Sequence, residues 1–202
     1  MNTESAVNRG YQKIEGAVRA FNFDFKNKIV LDIGSSTGGF TECALKHGAK
    51  KVAAVEKGTH QMKAPLRFDP RIELHEKTNI FDVTSENRKR SDDKAVVTIP
   101  APDIIVADVS FISLTKILKY AIMKLTRPST QFLVMLKPQF EAREDQLHRG
   151  VVKNERIRRE IVKDFELWLK QNGFIIINKR DNDLKGRTGN LERFYHLALA
   201  KH

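Results

Sequence analysis

Residues 28–41, Lys-Ile-Val-Leu-Asp-Ile-Gly-Ser-Ser-Thr-Gly-Gly-Phe-Thr, constrain the fold more than any other stretch of this chain. Residues 29–33 are aliphatic and rich in β-branched side chains, the pattern of a strand buried on both faces. Gly34 ends the run. Residues 37–47 carry no proline and place Phe40, Ala44 and Leu45 among polar neighbours, which predicts a helix capped by Ser36 or Thr37. Strand, glycine turn and helix open a nucleotide-binding α/β unit. A pyrophosphate-binding version needs G-x-G-x-x-G, where the second glycine admits the phosphates. Here that position is Ser36, giving Gly34-x-Ser36-x-x-Gly39. The loop therefore suits a ligand that needs tight turns but no phosphate cradle. S-adenosylmethionine, with its zwitterionic end, sulfonium and ribose, is such a ligand. Asp32, Gly34, Ser35, Ser36, Gly38, Gly39 and Phe40 become candidate cofactor-binding residues, Asp32 through the ligand's amino group. A tight turn with no ligand is the competing reading.

Downstream the pattern alternates between strand and helix, as in a parallel sheet covered on both faces. Strands are predicted at 29–33, 51–55, 72–75, 104–107, 132–136, 174–178 and 195–200, and helices at 7–21, 37–47, 114–125 and 155–171. The expectation is a doubly wound, Rossmann-like α/β fold of seven strands, in one domain over 1–202 with a helical extension at 1–25. The helix at 155–171 carries Ile157, Ile161, Phe165 and Trp168 at helical spacing, read as core packing. Its other face holds Arg156, Arg159 and Lys163. The stretch 85–94 is charged with both signs and predicts a mobile surface loop.

A single cysteine, Cys43, excludes an intramolecular disulfide and a cysteine-rich zinc site, and points to a reducing, cytoplasmic setting. His60 and His148 have no partners at ligand spacing, so no metal is expected. No apolar run approaches the roughly 18 residues that span a bilayer, so no membrane partner is expected either. The balance of 36 Lys+Arg against 25 Asp+Glu leaves a net charge of +11. Such a surface favours a polyanion.

In open α/β sheets ligands bind beyond the carboxyl ends of the strands, where the strand order reverses. Glu56, at the end of the second strand, is placed to accept hydrogen bonds from ribose hydroxyls, with a solvent-facing glutamate as the alternative. Asn79, Ile80 and Asp82 would frame an adenine, Asp82 taking its amine. The fourth strand ends at Ala107-Asp108-Val109-Ser110-Phe111 and the fifth at Leu136-Lys137-Pro138-Gln139-Phe140. An Asp/Lys pair is ill suited to accepting hydrogen bonds from an amine but can orient and deprotonate a hydroxyl. A structural salt bridge between neighbouring strands is the alternative. Arg143, Arg149, Lys153 and Arg187 fall in segments expected to flank that edge and to contact an RNA backbone. Phe111 and Phe140 are candidates to stack on a displaced base or to pack in the core.

Five segments in this order resemble one family. They are Val7-Asn-Arg-Gly-Tyr-Gln-Lys13, Leu31-Asp-Ile-Gly-Ser-Ser-Thr-Gly-Gly-Phe-Thr41, Val106-Ala-Asp-Val-Ser-Phe-Ile-Ser-Leu114, Lys137-Pro-Gln-Phe-Glu-Ala142 and Gly189-Asn-Leu-Glu192. The chain resembles the hemolysin-A-type (TlyA) branch of the FtsJ-like ribosomal RNA 2′-O-methyltransferases. The resemblance implies a seven-stranded S-adenosylmethionine-dependent fold with an antiparallel last strand. It implies a catalytic tetrad at Lys13, Asp108, Lys137 and Glu192, and ribosomal RNA or a ribosomal subunit as partner. Family members usually carry an N-terminal S4 RNA-binding domain; these 202 residues are expected to lack it. A catalytically silent RNA-binding assembly factor and a small-molecule O-methyltransferase remain as alternatives, and a membrane-lysing role lacks the apolar segment it needs. The oligomeric state is not legible.

Overall fold

The computed structural model describes residues 9–87, 97–186 and 188–200. In chain order it comprises α1 (Arg9–Phe21), β1 (Ile29–Ile33), α2 (Gly39–Lys46), β2 (Lys51–Val55), β3 (Ile72–His75), β4 (Val83–Ser85) and β5 (Val97–Ile99). There follow β6 (Ile104–Ala107), α3 (Leu114–Lys124), β7 (Gln131–Leu136), α4 (Glu155–Gln171), β8 (Phe174–Asp181) and β9 (Arg193–Leu199). Seven strands form one sheet in the order β3-β2-β1-β6-β7-β9-β8. All run parallel except β9, which is antiparallel to both β7 and β8. The predicted seven-stranded sheet is therefore observed, with its last strand reversed.

Strand alternation divides the core. Leu31, Ile33, Ile105, Ala107, Phe132 and Val134 point to one face, where α3 and α4 cover them with residues such as Leu118, Phe165 and Leu169. Val30, Val52, Ile104, Val106, Leu133 and Met135 point to the other, under α1 and α2 with Ile14, Val18, Phe40 and Ala44. The period of two along each strand thus becomes two helical layers. After β3 the chain crosses back to lay β6 on the other side of β1. That reversal opens a crevice between the carboxyl ends of β1 and β6.

Strand β9 starts two residues earlier than predicted, at Arg193, and three further boundaries differ from expectation. Helix α2 starts at Gly39, and its cap is Gly38 in the left-handed region (φ 92°) with no side-chain capping bond. Ser36 cannot cap because its N–H donates to Glu56 Oε2 (2.8 Å) and its hydroxyl to Gln61 Oε1 (2.8 Å). Strand β8 runs to Asp181, past a bulge between Ile176 and Asn178, because β9 pairs along it. The predicted loop at 85–94 begins instead with Ser85 buried at the end of β4, which pairs with β5 in a separate two-stranded parallel sheet. Residues 88–94 of that prediction lie outside the described residues, as do Val7 and Asn8 of the predicted first helix.

Candidate active site

A cleft of about 2500 Å³ lies at the carboxyl ends of β1, β2, β6 and β7. Pockets for one small molecule measure roughly 300–1,000 Å³. This one has room for a cofactor-sized ligand and for part of a larger reactant.

The glycine turn forms one end. Gly34 has φ 79°, and a Cβ there would stand 3.3 Å from the Asp108 carbonyl oxygen, so only glycine lets β1 turn this close to β6. At Gly38 a Cβ would meet Leu66 Cδ2 at 2.4 Å. Ser35, Ser36, Gly39 and Phe40 line the cleft. Glu56 lines it too, but it is no free strand-end carboxylate. Its Oε2 accepts from Ser36 N–H (2.8 Å), and its Oε1 from Gly58 N–H (2.7 Å) and Gln61 Nε2 (3.3 Å). Glu56 thereby ties the glycine turn to the loop after β2, and Gln61 is a wall residue that sequence reasoning missed.

Asp32 is not on the wall. It shares strand parity with Val30, so it points beneath α2, fully buried, and accepts a hydrogen bond from Thr41 Oγ1 (2.6 Å). Burial pushes its carboxyl up to about 7 despite that bond, with Asp108 and Glu56 adding to the rise. Its Oδ1 has no partner among the described residues, and neither has the buried hydroxyl of Ser35. Asn79, Ile80 and Phe81 line the cleft, whereas Asp82 is exposed and outside it. The reason is a 3-10 turn at Ile80–Asp82, capped by Asn79 Oδ1 on Phe81 N–H, which presents Phe81 in its place.

At the other end stand the four polar residues drawn from distant segments. Leu136 pairs with Arg193 in the β7/β9 ladder, so Lys137 and Glu192 occupy the next facing positions. Lys13, buried on α1, donates to Glu192 Oε2 at 2.6 Å, with only 9% and 3% of the two side chains exposed. Lys137 Nζ lies 2.5 Å from Asp108 Oδ1 and donates to Ser110 Oγ at 2.8 Å. All four line the cleft. Two ion pairs therefore face one another across the ends of three adjacent strands and one helix.

The surrounding turns are tied down. Glu141 accepts from Ser113 Oγ (2.6 Å) and Leu114 N–H (2.7 Å), closing the start of α3 and fixing the β6–α3 loop to the end of β7. Burial raises its carboxyl above the usual range, against those two bonds. In that loop Phe111 is 92% exposed at φ 64°, 5.3 Å from the Phe140 ring. A bulky residue in the left-handed region is strained. Phe111 thus stands out from the wall while Phe140 supports it.

The predicted RNA-contacting cations are mostly elsewhere. Arg143 and Lys153 are exposed and off the wall, Arg143 facing Asp145 at 3.3 Å. Arg149 is exposed beside Gly150, which lines the cleft. Arg187 lies outside the described residues. The wall itself carries Arg9, Lys46, Lys57, Lys63 and Arg71, which sequence reasoning did not select. Lys57 and Lys63 lie in the loop after β2, whereas Arg9 opens α1, Lys46 ends α2 and Arg71 precedes β3, so the five share no sequence signal. No helix among the described residues is long and apolar enough to cross a membrane.

Comparison with known proteins gives the family. Residues 6–199 match the family described as FtsJ-like methyltransferase. The chain belongs to that family. Within the FtsJ-like methyltransferases it is 38% identical over 195 residues to Hemolysin A of Brachyspira hyodysenteriae, covering 96% of this chain and 77% of that one. It is 31% identical to the 23S rRNA (cytidine-2'-O)-methyltransferase TlyA of Campylobacter jejuni, covering 96% of this chain and 71% of that one. The crystal structure of a candidate hemolysin from Lactococcus lactis superposes with a TM-score of 0.84 at 32% identity, covering 95% of this chain and 87% of that one. The chain spans 65–77% of the length of the curated relatives it matches.

Proposed function

We propose that this FtsJ-like methyltransferase transfers a methyl group from S-adenosylmethionine to a ribose 2′-hydroxyl of ribosomal RNA. The observation that carries the reading is the convergence of Lys13, Asp108, Lys137 and Glu192 at one end of a cleft whose other end is the glycine turn. The relatives named as ribosomal RNA 2'-O-methyltransferases supply the substrate class.

The walls fit the cofactor. Gly34, Ser35 and Ser36 line the turn end of the cleft, and the buried Ser35 hydroxyl and Asp32 Oδ1 have no partner among the described residues. Ser36, Glu56, Asn79 and Ile80 would hold the ribose and adenine, and Phe81 closes the adenine end. When bound, S-adenosylmethionine supplies an electrophilic methyl on its sulfonium.

The chain's own residues supply position and proton transfer. Lys137 is assigned to hold the ribose oxygen in line; to serve also as the base, its ammonium first gives a proton to Asp108 or water and then takes the hydroxyl proton as the new O–C bond forms. Asp108 fixes the lysine in place. The Lys13–Glu192 pair fixes the floor beside it, since neither partner can swing out without leaving the other's charge buried and unpaired. Phe111 offers a flat apolar face to an unstacked base, and Lys57, Lys63 and Arg149 are available to phosphates.

The test is to incubate the protein with methyl-labelled S-adenosylmethionine and, separately, naked rRNA, isolated ribosomal subunits and tRNA, then to digest the RNA and identify nucleosides by mass spectrometry. The expected product is a labelled 2′-O-methylnucleoside from rRNA or subunits that disappears in Lys137→Ala, while that variant still binds the cofactor. Cofactor binding with no transfer to any RNA would overturn the substrate class, and full activity in Lys137→Ala would overturn its role.

A further inference from the structure

We infer that the chain carries a divalent zinc site, outside the cleft, in which Glu15, Cys43 and His47 bind one Zn²⁺ between α1 and α2. The three ligand atoms lie within 4.8 Å of one another. Cys43 Sγ is 3.5 Å from Glu15 Oε2, and His47 Nε2 is 2.8 Å from the same oxygen. Thiol, imidazole and carboxylate are the three ligand types of tetrahedral zinc, with metal–ligand distances of about 2.3 Å to sulfur and about 2.0–2.1 Å to nitrogen and oxygen. A tetrahedron of those bonds separates sulfur from oxygen by roughly 3.6 Å and nitrogen from oxygen by roughly 3.3 Å. The sulfur–oxygen distance already fits, and the imidazole needs to withdraw by about half an ångström.

The local structure explains why the ligands converge. Cys43 and His47 are four residues apart at the end of α2, so they stand one above the other on one helix face. That face packs on α1, which presents Glu15. Two donors, the thiol and the imidazole N–H, converge on a single carboxylate oxygen, the arrangement a cation would replace by exchanging protons for metal. The remaining carboxylate oxygen is held by Arg19 Nε at 2.6 Å, the kind of outer hydrogen bond that orients a metal ligand. Cys43 is fully buried at the back of the group, while a third of the His47 side chain is exposed. The fourth position thus opens toward solvent and would take water. Sulfur with imidazole and carboxylate selects zinc over magnesium or calcium, which prefer oxygen alone.

Loading breaks the Cys43 S–H and His47 Nε2–H bonds, releases the thiol proton to solvent, moves the imidazole proton to Nδ1 as the ring changes tautomer, and forms zinc–sulfur and zinc–nitrogen bonds with no change of oxidation state. The site would join α1, which carries Lys13, to α2, which follows the glycine turn. The sequence reading expected no metal and did not select His47, and Glu15 is 28 residues from Cys43.

Titration of the full, chelator-washed chain with Co²⁺ in a thiol-free reductant tests this without cofactor or RNA. The expected result is a near-ultraviolet thiolate-to-cobalt band and strong visible bands at one Co²⁺ per chain, bleached by Zn²⁺. Cys43 is the chain's single cysteine, so a thiolate band has one possible origin. Cys43→Ser should abolish that band, and His47→Gln, at a partly exposed position that leaves the core intact, should weaken Co²⁺ binding at least about 10-fold. Absence of a thiolate band in the unaltered chain would overturn the proposal, as would unchanged Co²⁺ affinity in His47→Gln.

Discussion

Replacing Glu192 by glutamine separates the structural from the chemical role of the buried pair. Lys13 and Glu192 meet at 2.6 Å with 9% and 3% of their side chains exposed, so neither partner has solvent to fall back on. Removing one charge leaves the other buried and uncompensated, which costs about 3–5 kcal/mol. For a chain of this size each kcal/mol moves the melting temperature by about 2–4 °C, so Glu192→Gln should melt roughly 6–20 °C lower. The double variant Lys13→Met/Glu192→Leu removes both charges and fills the space with apolar atoms. Such replacements are often neutral or stabilising, so its melting temperature should return to within about 4 °C of the original. Methyl transfer should be lost in both. Urea unfolding followed by the fluorescence of the one tryptophan, Trp168, which stacks on Phe165 at 6.4 Å, reports the stability of each variant. A Glu192→Gln variant as stable as the parent within about 0.5 kcal/mol would refute the claim that this pair is desolvated.

Asp32 gives a pH signature. Its carboxyl lies at about 7 in the folded chain against 3.8 as the ordinary value, so the folded state keeps a proton that the unfolded state releases. Its contribution to stability is therefore full below about pH 4 and lost as pH rises to about 7, by up to about 4 kcal/mol. Asp32→Asn should remove that fall, seen as a smaller difference between urea midpoints at pH 5 and pH 8; an undiminished difference would reject the assignment. Gly38→Ala forces a Cβ into the left-handed region and against Leu66, and should lower stability by about 1–3 kcal/mol in thermal melts. Phe111→Ala should leave stability within about 0.5 kcal/mol, because the ring is almost wholly exposed, while reducing methyl transfer to RNA.

The seven strands of the main sheet, the two-faced layering and the placement of a cleft at the strand ends were legible in the sequence, whereas β4 and β5 were not. Apolar runs, alternation and helical spacing are local properties, and a parallel α/β sheet puts its ligand site at one predictable edge. Asp108 and Lys137 could be found because each directly follows its strand. Lys13 and Glu192 entered only through the family resemblance, and their contact required distant segments to meet. Lys13 and Glu192 are 179 residues apart, and only the insertion of β9 between β7 and β8 and the packing of α1 bring them into contact. Asp32 was expected at the ligand but turns under α2, since its side is fixed by strand parity and not by its place beside the glycine turn. Glu56, read as a free carboxylate, is bound by three donors from two loops, and Phe81 replaces Asp82 because a single 3-10 turn rotates the chain. Sequence periodicity specifies which face of an element is apolar; which polar side chains meet, and which are buried there, is decided by the order in which the elements pack.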